Sequence, residues 1–99
     1  MTIVKSAAQK SNVKIVVADE ESFMRDIVVN ALTSGGYREI RSIGKLVSLQ
    51  DVIESIYPDL VILSGEMADG DAVDFVRRIR LHRIGRNPFV PVILTAWNA

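Results

Sequence analysis

Cysteine is absent from these 99 residues, which excludes a disulfide framework and any thiolate metal site. That absence suits a reducing compartment, and the cytoplasm is the expected location. Charge of one sign is missing as well. Twelve basic residues balance twelve acidic ones, so the overall field argues for neither nucleic acid nor a membrane surface as partner. No apolar run approaches the roughly 18–20 residues needed to cross a bilayer. Near the N-terminus, Lys5, Gln9 and Lys10 interrupt any apolar core a signal peptide would need. There is no internal repeat and no low-complexity segment. What remains is 48% hydrophobic and 24% charged, a composition that folds, at a length that makes one small domain.

Residues 1–12 read as a flexible polar leader, and residues 13–99 as the domain. The β-branched run 13–18 has the length and apolar continuity of a strand buried on both faces. Asp19, Glu20, Glu21 and Ser22 follow as a polar turn. Phe23, Met24, Ile27, Val28, Ala31 and Leu32 then recur at helical spacing until Gly35 and Gly36 end the helix. Residues 37–44 alternate weakly, as a more exposed strand. Leu46, Leu49, Ile53 and Ile56 share one face of a helix over 46–56, which stops before Pro58. The most apolar strand is 60–63. A third helix covers 72–81, with Val73, Val76 and Ile79 expected inward and Arg77, Arg78 and Arg80 outward. A fourth strand, 89–95, is entered through Pro91. Strands alternating with helices imply right-handed crossovers and a parallel sheet with helices on both faces.

In such sheets ligands gather outside the carboxyl ends of the strands. Three separated strands end there in polar residues: Asp19 and Glu20, then Ser64, then Thr95. Each has a plain reading too. Asp19 and Glu20 suit a solvated turn that caps the first helix. Ser64 suits an ordinary small residue at a strand end, and threonine is common in strands. The basic run Arg77, Arg78, Arg80, Arg83 and Arg86 reads as a solvated helix face paired with acidic neighbours.

Taken together these segments resemble a family. The stretch PDLVILSGEMADGDAVDFVRRI, residues 58–79, is similar without a gap to the middle of a response-regulator receiver domain, the phosphoryl-accepting module of two-component signalling. VKIVVADEESFMR is similar to that family's first strand and acidic pair, and VPVILTA to its fourth strand and switch hydroxyl. The resemblance runs from Val13 to the C-terminus. It implies a flavodoxin-like α/β fold with strand order 2-1-3-4 and helices on both faces, truncated after the fourth strand. It places Asp19 and Glu20 at the pair that binds Mg²⁺, and Glu66 where a backbone carbonyl ligates the metal. Thr95 stands at the hydroxyl that moves on activation.

Ser64 stands at the phosphoacceptor aspartate. Ala68 and Ala72 replace the usual proline and glycine, Trp97 adds bulk beside the site, and the strand bearing the family's catalytic lysine is not in the sequence. A serine hydroxyl is a poor nucleophile without an adjacent base, and the only histidine, His82, falls near the end of the third helix. The expectation is a pseudo-receiver: not an enzyme, needing no cofactor, with weak Mg²⁺ binding at Asp19, Glu20 and Glu66. It would act by protein–protein interaction within a phosphorelay, with a sensor histidine kinase or another signalling protein as partner. The alternative is an N-terminal fragment or mutant of a conventional phosphoaccepting regulator. A metal-dependent phosphatase would need a nucleophilic carboxylate at the strand end. The uncharged strand 89–95, left as a sheet edge, predicts a homodimer in which Phe89, Val90, Val92, Ile93, Leu94 and Trp97 meet their counterparts.

Overall fold

Two strands of branched aliphatic residues, β1 (Lys14–Ala18) and β3 (Leu60–Ser64), pair in parallel at the centre of the protein. The computed structural model describes residues 7–96. Their remaining elements are α1 (Ala7–Ser11), α2 (Ser22–Ser34), β2 (Glu39–Ile43), α3 (Leu46–Ser55), α4 (Ala72–Arg80) and β4 (Val92–Thr95). The strands form one sheet ordered β2-β1-β3-β4, with all neighbours parallel. This is the order, and the parallel sense, that the sequence led us to expect.

Alternation along the central strands sends side chains to two cores. Val16, Ala18, Val61 and Leu63 pack with Leu46, Leu49 and Ile53 of α3 and with Ala72, Phe75 and Ile79 of α4. On the other face Ile15, Val17 and Ile62 meet Val28, Val29 and Leu32 of α2. Helix α1 lies within the stretch read as a leader. Its Lys10 Nζ donates to the Gly35 carbonyl at 3.0 Å and stands 5.8 Å from the centre of the Tyr37 ring, tying α1 to the end of α2.

Three readings need correction. The buried face of α4 is Ala72, Phe75 and Ile79, with Val76 half-buried and Val73 exposed. Counting from Val73 rather than Ala72 rotated the helix by one position and hid Phe75. Phe23, expected on the inner face of α2, is exposed. Strand β4 starts at Val92, not at Phe89. Asn87 folds the preceding residues into a turn, its Oδ1 accepting from the Phe89 amide at 3.0 Å. Arg80 Nη1 then donates to the carbonyls of Pro88 and Val90 at 2.9 and 2.7 Å. Phe89 is left in solvent and Val90 is buried in the α3/α4 core, so neither belongs to the strand edge. The basic run is largely engaged: Arg77 and Arg78 pair with Asp74, Arg78 also lies over the Phe75 ring, and Arg80 holds this turn.

Helix α4 ends in a Schellman arrangement, with the Arg83 amide bonded to the Arg78 carbonyl at 2.9 Å and the His82 amide to Ile79 at 3.1 Å. His82 takes the left-handed position there, at φ 64°, where glycine is the usual residue. A side chain in that region costs about 1–2 kcal/mol. His82→Gly is therefore expected to raise stability by about 1 kcal/mol, less the entropy glycine adds to the unfolded chain. A urea midpoint that stays put or falls would show that the His82 side chain contributes more than its backbone costs.

Candidate functional site

The parallel register brings the three strand ends together. Ala18 aligns with Leu63, so Asp19 and Ser64 leave the sheet side by side, and Ser64 aligns with Thr95. Above them lies a cleft of about 470 Å³, lined by Asp19, Glu20, Glu21, Met24 and the 64–68 segment that includes Glu66 and Met67. Four of the expected site residues, Asp19, Glu20, Ser64 and Glu66, share this cleft. Thr95 is next to Ser64 in the sheet but outside the cleft lining. Trp97 lies outside the described residues. Glu21, Met24 and Met67 join the lining without having been singled out in the sequence.

Burial divides these residues. Ser64 is 2% exposed and Asp19 6%, whereas Glu20, Glu21 and Glu66 stand in solvent. Both hydrogen bonds of the Ser64 hydroxyl go to Glu66: it accepts from the amide at 3.1 Å and donates to the carbonyl at 3.4 Å. The hydroxyl thus occupies itself with the backbone of its own loop. Asp19 Oδ1 accepts from the Glu21 amide at 2.9 Å, closing the turn at the start of α2. Arg25, one turn into α2, reaches back over it. Its Nη1 donates to the Asp19 carbonyl at 2.6 Å and the Glu20 carbonyl at 3.3 Å, while Nε donates to Ser42 Oγ at 3.0 Å.

The loop after Ser64 is pinned from the other side. Helix α3 begins without a cap of its own at Lys45. Asp69 caps it from 23 residues away, accepting from the Leu46 amide at 2.9 Å and the Val47 amide at 3.2 Å. Gly70 lets the loop come this near, since a Cβ there would stand 2.9 Å from Leu46 Cδ1.

Oxygen donors in number are what Mg²⁺ requires, arranged near-octahedrally. The residues present do not fit it well. Ser64 offers a neutral hydroxyl, Asp19 commits an oxygen to the Glu21 amide, and the Glu66 carbonyl accepts from Ser64. Among the described residues no group of three or more histidine, cysteine, aspartate or glutamate side chains is gathered closely enough to hold a metal. His82 lies beyond the far end of α4, nine residues or about 13 Å of helix from the loop that carries Ser64.

No family model and no curated protein matches the sequence. Solved structures do match. The MaeR response regulator bound to beryllium trifluoride superposes with TM-score 0.77 at 23% identity, over 88% of this chain and 69% of that one. An aspartate-to-alanine mutant of MaeR bound to sulfate gives TM-score 0.76 with the same identity and coverage. The N-terminal domain of an uncharacterized protein from Wolinella succinogenes gives 0.71 at 20% identity, covering 88% and 66%. The fold is that of a response-regulator receiver domain. The described residues contain four strands of that fold, in the order β2-β1-β3-β4. Ser64 ends the third strand of this receiver fold and Asp19 follows the first. Among the described residues no helix is long and apolar enough to cross a membrane.

Asp69 yields a pH-dependent test of how the loop is held. The Leu46 amide, above all, holds its carboxyl below the ordinary value of 3.8. Burial opposes this, and the Val47 amide, its own amide and the Lys45 charge assist. A carboxyl depressed on folding adds stability that is fully present above its unfolded pKa and is lost as pH falls through the folded one. Asp69→Ala is expected to cost about 1 kcal/mol at neutral pH, as for loss of a helix cap. The gap between the two proteins should narrow in acid below the ordinary aspartate range. Denaturant titrations at neutral and acidic pH would measure both, and a gap that does not depend on pH would mean the carboxylate is not the capping species.

Proposed function

We propose that this receiver fold serves two-component signalling as a pseudo-receiver, acting through protein–protein contacts rather than by accepting a phosphoryl group. One observation carries the reading: the side chain at the end of β3 is a buried hydroxyl already bonded at both donor and acceptor to the Glu66 backbone. Phosphoryl transfer to such a site would need the hydroxyl freed, a base to take its proton and cations around the transferred group. No catalytic activity follows from such an arrangement. It requires no cofactor, and Mg²⁺ binds weakly at best. A cytoplasmic setting, and a sensor histidine kinase or another signalling protein as partner, complete the reading. Incubation with acetyl phosphate and Mg²⁺ is expected to leave the intact mass unchanged. A stoichiometric gain of one phosphoryl group would overturn the proposal.

The contact surface in this reading is the outer edge of β4, and its occupant a second copy of the chain. Val92–Thr95 carries no charge and no proline, and Ile93 and Leu94 are 51% and 45% exposed. An unprotected apolar edge of this kind invites strand pairing. Two copies can satisfy it by antiparallel β4–β4 pairing across a twofold axis, a closed arrangement that does not polymerise. Light scattering at micromolar concentration is expected to give a dimer. Ile93→Lys should dissociate it, while Val47→Lys, which alters an exposed position on α3, should not. A monomer at all accessible concentrations would refute the pairing.

A further inference from the structure

Gly44 lies in the bend between β2 and α3 and does not take a left-handed φ, so that conformation does not account for the missing side chain. Space does. A Cβ at this position would stand 3.1 Å from Arg25 Nη1 and 3.7 Å from Cζ. The guanidinium therefore lies against the backbone at the end of β2. From there it donates to the Asp19 and Glu20 carbonyls and to Ser42. Helix α2, the end of β2 and the acidic turn after β1 meet at this one group.

The turn it holds forms one wall of the cleft, and three of its residues, Asp19, Glu20 and Glu21, carry carboxylates. Like charges so close repel one another and loosen a turn unless a cation stands nearby. Charge-assisted hydrogen bonds from a guanidinium are among the stronger ones, and a planar fork engaging three acceptors fixes direction as well as distance. We propose that Arg25, admitted by Gly44, is a built-in cation that locks the acidic turn in its cleft-lining shape without a divalent metal. It is a positioning residue: it acts on the carboxylate-bearing backbone and does not line the cleft itself. The inference goes beyond the chemistry of Ser64 and holds whether or not that hydroxyl accepts a phosphoryl group.

The Glu21 amide, which donates to Asp19 Oδ1, reports the shape of the turn, and the Met24 and Met67 methyl groups report the cleft lining. Hydrogen exchange and methyl NMR would be compared in the wild type, Arg25→Gln, Gly44→Val and the double variant, each with and without excess Mg²⁺. In the wild type, Glu21 should be protected without Mg²⁺ and should gain no protection when it is added. Either single variant should speed Glu21 exchange about tenfold or more, the loss of one charge-assisted bond, while Val16 and Leu63 amides in the central strands keep their protection. The double variant should be no worse than the more severe single one, because both break the same contact. Three results would overturn the proposal: Mg²⁺ raising Glu21 protection in the wild type, Glu21 protection surviving Arg25→Gln, or additive effects in the double variant. Global loss of protection in Gly44→Val would leave Arg25→Gln and its Mg²⁺ dependence to decide.

Discussion

The register between β1 and β3 is the constraint on which the site depends. Both strands are apolar on both faces, so burial by itself favours the pairing without choosing its register. In a half-exposed strand a one-residue slip is forbidden because it turns the apolar set into water. Here it would only exchange one core for the other. Asp59 supplies the missing information. Its amide donates to the Lys14 carbonyl at 2.8 Å, and its Oδ2 accepts from the Lys14 amide at 2.8 Å. A single residue thus grips both backbone groups at the start of β1. Five residues on, the same register sets Asp19 beside Ser64.

The two faces of the sheet are not equally covered. On the α3/α4 side, Leu49, Val61, Leu63, Phe75 and Ile79 are essentially inaccessible, and Ile84 and Val90 close the core from the loop before β4. On the α2 side only Ile15, Val17 and Ile62 are buried, no residue of α2 is, and Phe23 and Ile27 are exposed. Ile93 aligns with Ile62 and so belongs to this thinner face. Burying a large aliphatic side chain is worth about 1.5–3 kcal/mol. Stability therefore rests chiefly on the α3/α4 core, and the α2 side leaves more apolar surface in solvent.

How much of this was legible in the sequence follows from what sets each feature. The central strands β1 and β3 and the ends of α2 were legible because apolar runs of fixed length between turn residues leave few alternatives. Asp19, Glu20, Ser64 and Glu66 could be grouped by sequence order, since parallel strands carry their carboxyl ends to one edge. The start of β4 was not legible. It depends on Arg80 reaching eight and ten residues ahead to two carbonyls, and nothing in the apolar pattern of 89–95 marks that contact. The inward face of α4 was misjudged because Ala72, the residue that sets its phase, is too small to stand out. Arg25 passed as one more polar residue on a helix. The one local signal was Gly44, a glycine between β2 and α3 that does not take a left-handed φ.

Ser64 and Arg25 make sense together. A carboxylate at position 64 would stand beside Asp19, itself buried, and two such groups cannot both stay ionised without a cation between them. The hydroxyl removes that demand. It is neutral, and it finds donor and acceptor within its own loop, so its burial leaves no polar atom unsatisfied. What remains is the negative charge of the β1–α2 turn, which the Arg25 guanidinium faces through the Asp19 and Glu20 carbonyls. With a neutral group at position 64 and a cation supplied by the chain, the ends of β1 and β3 stand side by side in the receiver fold with only the carboxylates of the β1–α2 turn left to neutralise.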